Sequence, residues 1–535
     1  MSEAAGPAKA GARRPNFLIF LTDQQRADHL GCYGDRLLRT PNIDALARSG
    51  ARFERFYTSS PVCMPNRAAL ATGRMPSVAG VRMNGVPLPL DALTYADVLA
   101  SAGYHTALIG KAHFQIQTGA APTPAPREPA VPRSFQATAD RREGEAYGAE
   151  APERWDRPDH EPATPYYGFE ETQLCLEHGD AVGGAYARWL AARAPRLAGR
   201  RRDAAAAATA PQATPTLLPE HLYPTRFVAD EAIAFIRRRA QDRSGRPFLL
   251  QCSFPDPHHP FNPPGRYWSM YAPGDVALPP SFDAPLDIAP PHKRAIHEEF
   301  RDGRRKTSGS RAIAVSAEEA RQAIALNYGA ITMIDDAVGD VMRALAGSGL
   351  DEDTIVVFMS DHGDFMGDHG LLFKGPLHYQ SIVRMPVIIR AAGVAARGLV
   401  ARAPACAMDL CPTLLELAGL EPPHGVQGRS LVPVLAGRIG GFDDRAILVE
   451  EQNHRAIPGL PPPWSARTLI AGRWRLSIYA NADWGELYDL GDDPHELRNL
   501  FGEPAHAALR GELMWRLARE MTLLSPNLPL PARMA

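Results

Sequence analysis

The sequence has few cysteines, no long hydrophobic run and almost no excess charge. Its 535 residues include six cysteines without a CxxC pair, so neither a disulfide framework nor a zinc ribbon is indicated. The 58 Lys and Arg residues nearly balance the 60 Asp and Glu residues, for a formal net charge of −2. Such a balance gives no general attraction to nucleic acid or to an anionic membrane. No stretch approaches the roughly 20 apolar residues of a membrane-spanning helix.

The first residues do not have the pattern of a secretory signal. Arg13 and Arg14 precede only a short apolar run at 17–21, whereas a signal peptide carries about 7–15 apolar residues after its positive charges. Scattered cysteines are typical of proteins in a reducing compartment. We therefore predict a cytoplasmic protein with no membrane or nucleic-acid partner, and a homo-oligomer is compatible with the sequence.

Short, continuously apolar runs alternate along the chain with segments of helical periodicity. Apolar runs without polar alternation are typical of parallel strands that helices cover on both faces. The pattern predicts an α/β sandwich around a large, mostly parallel sheet. The apolar runs lie at 16–22, 104–110, 247–254, 354–360 and 385–390, and the helical segments include 94–103 and 40–50, the latter with Thr40 as the expected N-cap.

We divide the chain into a disordered tail, a catalytic domain and a small C-terminal subdomain. The tail is 1–15, the catalytic domain 16–440 and the subdomain 441–535. Strand patterns in RTLIAGRWRLSIY and GELYDL predict an antiparallel sheet in the subdomain. Two stretches rich in proline, alanine and charge, about 115–165 and 195–216, are predicted to be surface insertions in the catalytic domain.

Polar residues follow directly after four of the predicted strands. Ligands of open α/β sheets bind beyond the carboxyl ends of the strands, so these residues are expected to meet at one edge. A single Asp after a strand is more often a helix cap, but four such groups together predict a functional site. The residues are Asp23 and Gln24, Lys111 and His113, His258 and His259, and Asp361 and His362.

The residue types at this edge indicate a metal-assisted reaction on an anion. Asp23 and Asp361, with an amide or imidazole neighbour, offer ligands suited to Ca²⁺, Mg²⁺ or Mn²⁺. Three cations, Arg67, Lys111 and Lys374, would neutralise a tetrahedral oxyanion beside such a metal. What this set lacks is a nucleophile.

The candidate nucleophile is Cys63, in the segment CMPNRAALATG. The segment resembles the C-x-P-S-R and A-x-L-x-T-G signature of the sulfatase family, in the alkaline-phosphatase-like superfamily, where the cysteine is converted to formylglycine. Asn66 stands where the family usually has Ser, but the Cys, Pro and Arg on which the modification depends are present. ELYDLGDDPHELRNL resembles the closing motif of the family, so the resemblance covers most of the chain.

The resemblance implies the superfamily's α/β/α sandwich and a complete set of metal ligands. Gln24 and His362 replace the Asp and Asn of many members, which is similar to the choline-sulfatase and phosphonate-monoester-hydrolase branch. The implied ion is Ca²⁺, with Mn²⁺ as the rival because one ligand is an imidazole. The implied ligands are Asp23, Gln24, Asp361, His362 and the modified Cys63.

The same resemblance implies roles for the other polar residues. Arg67 would brace the formylglycine, and Asn84 would contact the bound ester. His258, with Lys374, would protonate the leaving group, and His113 would act as the base. The residues around the sulfate and the leaving group would be Lys111, His113, His258 and Lys374.

The reaction implied is hydrolysis of a small sulfate monoester. One hydroxyl of the formylglycine hydrate would attack sulfur and release the alcohol, and the second would lose a proton so that sulfate is expelled. A formylglycine-generating enzyme would be a transient partner. The alcohol half of the ester is not identified by the sequence.

Two alternatives are weighed against this hypothesis. Phosphonate monoester or phosphodiester hydrolysis would use a similar site, but Tyr and Thr take the places of Lys111 and His113 in phosphonate monoester hydrolases, so this chain favours sulfate. A non-catalytic metal-binding member would show erosion of the site residues, and none is seen beyond Asn66.

Four further residues receive weaker predictions. His259, next to His258, is expected to support the site without acting in catalysis, and His369 is a candidate for lining the pocket. Glu450 and Glu451 could bind a cationic group, but we predict that they belong to a solvent-exposed face.

Overall fold

The computed structural model describes residues 14–117, 142–201, 208–438, 440–453, 457–461 and 464–525. Most of the predicted tail and the middle of both predicted insertions lie outside these ranges. None of the helices in the described ranges combines the length and the apolar character that crossing a membrane requires.

The described part of the chain contains seventeen strands and thirteen α-helices, together with nine short 3₁₀-helices. The strands are β1 Asn16–Thr22, β2 Ala51–Phe53, β3 Phe56–Tyr57, β4 His105–Gly110, β5 Glu171–Leu176, β6 Gly183–Gly184, β7 Phe248–Ser253, β8 Ile313–Ala314, β9 Thr354–Ser360, β10 Leu371–Leu372, β11 Val387–Arg390, β12 Leu399–Ala401, β13 Ala405–Cys406, β14 Ile447–Asn453, β15 Trp464–Ala471, β16 Trp474–Tyr479 and β17 Gly485–Asp489. The helices are α1 Pro41–Ser49, α2 Cys63–Thr72, α3 Tyr95–Ser101, α4 Pro152–Trp155, α5 Ala185–Arg193, α6 Pro195–Ala198, α7 Pro224–Gln241, α8 Pro291–Arg301, α9 Ala317–Gly347, α10 Gln380–Val383, α11 Leu410–Leu417, α12 Val432–Leu435 and α13 Ala507–Leu523.

The main sheet has nine strands in the order β12-β2-β11-β9-β1-β7-β4-β5-β6. Its centre is parallel: β1 pairs with β9 and β7, and β4 pairs with β7 and β5, all in the same direction. β11 runs antiparallel to β9 and β2. The sheet is therefore mixed but mostly parallel, as predicted, and the predicted apolar runs coincide with β1, β4, β7, β9 and β11 to within two residues.

Side chains on β1 alternate between two hydrophobic cores, one on each face of the sheet. Leu18 and Phe20 belong to the core that includes residues of α7 and α9, while Phe17 and Ile19 belong to the core that includes residues of α2, α3 and α11. Because both faces are covered, all seven residues of β1 are buried. This explains why its sequence is apolar without alternation.

A four-stranded antiparallel sheet, β14-β15-β16-β17, follows the main sheet in the chain. Helix α13 packs against it through Leu513 and Leu517, both buried. This confirms the predicted α/β sandwich with a small antiparallel C-terminal sheet. The chosen boundary at residue 441 stays a prediction.

The prediction that about 115–165 and 195–216 are surface insertions is wrong for parts of their described residues. Trp155 is buried, and the carboxylate of Glu150 is completely inaccessible. Glu150 accepts hydrogen bonds from the backbone N–H groups of residues 113, 114 and 115 at 2.8–2.9 Å. In the second stretch, Ala210 and Ala213 are buried in the core beside α7 and α9.

Three smaller predictions are also corrected. Thr40 does not cap α1 with its side chain; its hydroxyl accepts from the Gly31 N–H at 2.9 Å and donates to Asp44 at 3.1 Å. Glu450 and Glu451 are buried rather than exposed. Glu450 accepts the Ser77 N–H at 2.6 Å, and Glu451 lies 3.0 Å from His378 Nε2.

Candidate active site

The carboxyl ends of the central strands are tied together by backbone hydrogen bonds. Asp361, after β9, donates its N–H to the carbonyl of Thr22 in β1 at 3.1 Å, and Lys111, after β4, donates to Ser253 in β7 at 2.9 Å. The residues that follow these strands therefore meet at one edge, as the sequence predicts.

Gly110 permits the closest of these approaches. Its φ is +108°, and a Cβ at this position would lie 1.9 Å from the carbonyl oxygen of Ser253. Only glycine fits a backbone contact of this kind. The glycine thus brings Lys111 directly beside the end of β7.

Cys63 is the first residue of α2 and lies at the centre of the site. Its side chain is 2 % exposed. Its Sγ lies 3.7 Å from Asp23 Oδ1 and 3.2 Å from both His362 Nε2 and Lys374 Nζ. Burial and Asp23 would raise the pKa of this thiol, but the ammonium groups of Lys374 and Lys111 hold it below its usual value.

Asn66, the departure from the family signature, is fitted closely into the site. Its amide oxygen accepts the Ser59 N–H at 2.8 Å, and its NH₂ group donates to the backbone carbonyl of Asp361. An amide can satisfy both groups at once because it carries an acceptor and donors. The substitution therefore joins the segment before Cys63 to the loop after β9.

Arg67 holds the two acidic residues of the site in place. It donates from Nε to Asp361 at 2.9 Å and from Nη2 to Asp23 at 3.1 Å. Its remaining edge donates to the carbonyl of Lys111 at 2.8 Å. Since Arg67 is completely buried, these bonds fix the carboxylates rigidly.

Lys111 lies between Asp23 and His178. Its Nζ is 2.5 Å from Asp23 Oδ2 and 2.5 Å from His178 Nε2. Burial would raise the pKa of Asp23, but the neighbouring cations Lys111 and Arg67 hold it well below its usual value. Asp23 is therefore ionised.

The donor set fits a divalent metal ion. Asp23, Cys63, Asp361 and His362 each offer a ligand atom, and these atoms all lie within 4.8 Å of one another. The Nδ1 of His362 faces the carbonyl of Gly363 at 2.9 Å, which leaves Nε2 directed at the cluster.

Gln24 adds an acceptor to the same cluster. Its amide NH₂ donates to Asp364, while its Oε1 is buried without a partner in the part of the chain described. A buried unpaired oxygen is costly unless a ligand satisfies it. Gln24 also has a left-handed φ of +60°, a strained conformation that accompanies functional positions.

A stack of three imidazoles covers one side of the site. The rings of His178 and His258 lie 3.6 Å apart, and those of His258 and His259 lie 3.9 Å apart. Burial and neighbouring cations hold the pKa of all three well below the usual value, so these rings are neutral. His259 contacts Gln24 Nε2 at 3.3 Å through Nδ1, a supporting position of the kind predicted.

His178 is the site residue that the sequence reading missed. It forms a second candidate metal-binding group with Asp23 and His258. It follows β5 directly after Glu177. The rule that found the other residues, polar side chains after a strand, would have found His178 had β5 been recognised.

His113 lies near Lys111, Arg67 and Asp23, and Asn84 contacts the residue that follows Cys63. His113 has a left-handed φ of +55°, and its Nδ1 is buried with no partner among the described residues. Asn84 accepts the Met64 N–H at 3.0 Å, which places it at the amino-terminal end of α2.

His369 is not brought into this cluster. Its Nδ1 lies 3.0 Å from Lys293 Nζ, and its ring stacks on Tyr379 at 3.7 Å. Glu450 and Glu451 are likewise taken up by contacts with other residues. The structure therefore gives no support for His369 as a pocket residue.

Comparison with known proteins agrees with this geometry. The sulfatase family profile matches residues 15–420, and a profile described as N-sulphoglucosamine sulphohydrolase, C-terminal, matches residues 367–522. A choline-sulfatase of Rhizobium meliloti is 28 % identical over 497 residues, covering 92 % of this chain and 83 % of that protein.

Two further similarities are to proteins that are not named as sulfatases. The multifunctional alkaline phosphatase superfamily protein PehA of Trinickia caryophylli is 31 % identical over 536 residues, covering 94 % of this chain and 96 % of that protein. A crystal structure of the phosphonate monoester hydrolase of Agrobacterium radiobacter has a TM-score of 0.75 at 26 % identity and covers 96 % of each chain. The chain belongs to the sulfatase family, in the alkaline-phosphatase-like superfamily, and is a hydrolase of small sulfate esters.

Proposed function

We propose that the enzyme cleaves sulfate monoesters with a formylglycine made from Cys63 and one divalent metal ion. The observation that carries this proposal is the position of Cys63, whose Sγ contacts Asp23, His362 and Lys374 within 3.2–3.7 Å. Formylglycine would supply the nucleophile as its hydrate, and the metal would polarise the sulfate oxygens. We propose Ca²⁺, with Mn²⁺ as the rival because His362 is a ligand.

The charges of the site suit an anionic substrate. Arg67, Lys111 and Lys374 contribute three positive charges against two from Asp23 and Asp361, which leaves +1 before any metal binds. A divalent ion would raise this to +3. A buried site with this excess favours an ester that carries negative charge.

We assign the proton transfers from the imidazole nitrogens that have no hydrogen-bond partner among the described residues. His113 is neutral because burial and nearby Lys111 and Arg67 lower its pKa, and its unpartnered Nδ1 can accept a proton. His258 turns Nδ1 to the carbonyl of His259 at 2.5 Å, so Nε2 of the neutral ring is unprotonated and faces the leaving group as an acceptor. The ammonium group of Lys374 is therefore the group that holds a proton for the leaving group, and His258 would share this role only after its ring is protonated.

Phosphonate monoester or phosphodiester hydrolysis is the second candidate. The similarity to the phosphonate monoester hydrolase favours it. Lys111 and His113 favour sulfate, because they place a cation and a base where that branch has neutral hydroxyl groups. We therefore expect a higher kcat/KM for sulfate esters, with measurable activity on phosphorus esters.

A substrate panel with one leaving group separates the two candidates. The panel would contain an aryl sulfate, the matched phosphodiester and the matched phosphonate. The double substitution Lys111→Tyr and His113→Thr should shift the ratio of kcat/KM toward phosphorus by at least about tenfold, which corresponds to roughly 1.4 kcal/mol. Lys306→Tyr, at an exposed lysine, is the control. A hundredfold preference of the unchanged enzyme for phosphorus esters would reverse the assignment.

The modification is tested by mass spectrometry of the peptide that contains VCMPNR. Conversion of the Cys63 thiol to an aldehyde should lower its mass by about 18 Da when the chain is expressed with a formylglycine-generating enzyme. The peptide that contains Cys252 should keep its thiol mass. Fully active enzyme with an unmodified Cys63 would disprove the proposed nucleophile.

We also propose that the enzyme works in the cytoplasm. All six cysteines, each within the described ranges, are free thiols, which suits a reducing compartment. Cell fractionation with activity measurement tests the location, and recovery of the activity outside the cytoplasm would contradict it.

A further inference from the structure

A second cavity lies at the boundary between the main sheet and the C-terminal sheet. Its volume is about 410 Å³. Its walls come from the segment after β1, from α10 and from the segments that flank β16 and β17. The residues that line it do not include those assigned above to catalysis or metal binding.

Three side-chain hydrogen-bond donors on one short segment line this cavity without a partner among the described residues. They are the side-chain nitrogen Nε2 of Gln380, the hydroxyl of Ser381 and Nε of Arg384. Ser381 is 6 % exposed. Buried donors without partners are rare in folded proteins, and their occurrence together indicates a ligand that accepts hydrogen bonds.

Two of the four arginines that line the cavity form no ion pair within the described part of the chain, whereas Arg26 and Arg473 are paired. Arg384 and Arg55 have no carboxylate within ion-pair distance among the described residues, although Arg55 donates to the Gly472 carbonyl at 2.6 Å. Two of the carboxylates that line the cavity already form ion pairs. Asp28 pairs with Arg26 at 2.6 Å, and Glu496 pairs with Arg475.

The remaining carboxylate of the wall is Asp368, which accepts the hydroxyl of Ser281. In the described part of the chain, two guanidinium groups of the cavity wall, Arg384 and Arg55, are therefore without an ion pair, against one carboxylate, Asp368. Guanidinium groups match the oxygen geometry of sulfate, phosphate and carboxylate better than any other side chain. This combination of cations and neutral donors is suited to an oxyanion.

Residues that line the cavity pack against the loop after β9, which carries the proposed metal ligands Asp361 and His362. Gly363, next to His362, donates its N–H to the carbonyl of Ile382 in α10 at 2.9 Å. A Cβ at Gly363 would lie 1.9 Å from the carbonyl oxygen of Ser381. From the other side, Arg26 donates to the carbonyl of Phe365 at 2.5 Å. An occupant would therefore contact residues that pack on the metal-binding segment.

We propose that this cavity is a second binding site for a free tetrahedral oxyanion, sulfate or phosphate, held by Arg384, Arg55 and Ser381. The site is separate from the ester-cleaving centre. Sulfate is also the inorganic product of that centre, so the enzyme would bind it in two places.

Calorimetric titration of the full-length, metal-loaded protein tests the proposal. Sodium sulfate and, separately, sodium phosphate would be added at an ionic strength held constant with sodium chloride. Wild type should bind two anions. Arg384→Gln should lower the anion affinity of the first site, the cavity, at least tenfold. Lys374→Ala should lower the anion affinity of the site beside Cys63 and leave that of the cavity unchanged. Whichever anion binds with the higher affinity at the first site, sulfate or phosphate, identifies the class of anion that the cavity selects.

Two further variants keep the test independent of folding defects. Arg55→Gln changes a side chain with a single backbone contact and should also weaken the first site at least tenfold. Arg343→Gln, at an arginine that is 67 % exposed, should bind both anions as wild type does.

Crystals soaked in selenate locate the site directly. An anomalous peak beside Arg384 and Ser381 is expected. Wild-type affinity in both Arg384→Gln and Arg55→Gln, or a peak near Cys63 alone, would overturn the proposal. Because binding is measured without turnover, either result leaves the proposed sulfate ester hydrolysis untouched.

Discussion

Two regions of this chain bury charged side chains, and they satisfy those charges in different ways. Between the two sheets, Arg475 donates to Glu496, to Glu486 at 3.0 Å and to Ser477 at 2.8 Å. Every edge of its guanidinium group is used. Around Cys63 the acceptor of Gln24 has no described partner.

The difference shows which property of buried charge marks a functional site. Both regions are inaccessible and both contain close ion pairs. Between the sheets one cation meets two carboxylates, whereas at the strand ends three cations meet two carboxylates and leave polar atoms unpaired. The balance of charge, rather than burial, separates the site that binds ligands from the ion-pair cluster around Arg475.

The largest expected effect is on the candidate active site around Cys63. Asp361→Ala should remove metal binding and lower kcat/KM by about 10³-fold or more, because it deletes a ligand and the partner of Arg67. Metal analysis and kinetics on the same preparation measure both effects. Asp351→Ala, which removes a partly exposed partner of Arg390, is the control. Full metal occupancy in Asp361→Ala would contradict the ligand assignment.

The next effect is on the boundary between the sheets. Arg475→Met should lower the free energy of unfolding by about 3–5 kcal/mol, since Glu486 and Glu496 would stay buried without a cation. Metal content per folded molecule should not change. Denaturant unfolding provides the measurement, with Arg473→Met, at an arginine that is 46 % exposed, as a control that should change little. Equal losses in both variants would contradict the special role of the buried Arg475 ion pairs.

The smallest effect concerns acid stability. Burial lowers the pKa of His292 to about 4 from 6.5, so the folded protein binds fewer protons than the unfolded chain between these values. Stability contributed by the neutral ring should therefore be lost as pH falls from 6.5 toward 4, by at most roughly 3 kcal/mol.

His292→Phe should reduce this loss, because the ring packs on Trp484 at 4.8 Å with no hydrogen bond from its nitrogens in the described part of the chain. Unfolding curves at pH 7 and pH 4.5 measure the difference. His221→Phe, at an exposed histidine, should keep the wild-type pH dependence. A variant that loses as much stability as wild type would exclude His292 as the cause.

The central sheet and most of the site were predictable because their signals are local. Buried parallel strands are apolar without interruption, as in β1 and β9, and the topology then places the residues after them together. Cys63 and Arg67 were found from a contiguous segment that resembles a known family.

What the sequence did not reveal depends on distant partners. β5 spans Glu171–Leu176, and its first three residues are polar and only partly buried. For this reason neither the strand nor His178 after it was recognised. Glu451 resembles a surface residue until His378, more than 70 positions away, is placed 3.0 Å from it. Composition alone cannot show such pairings.

Glu150 has a consequence for the residue proposed as the base. Its carboxylate fixes the backbone at His113 at 2.8 Å and the side chain of Gln117 at 2.6 Å. Arg142, the first described residue after Gln117, donates to the carbonyls of Gly80 and Pro87 at 2.7 and 2.8 Å. A carboxylate 37 positions away in the chain therefore positions His113, so a change at Glu150 would alter proton transfer without replacing any residue of the catalytic cluster.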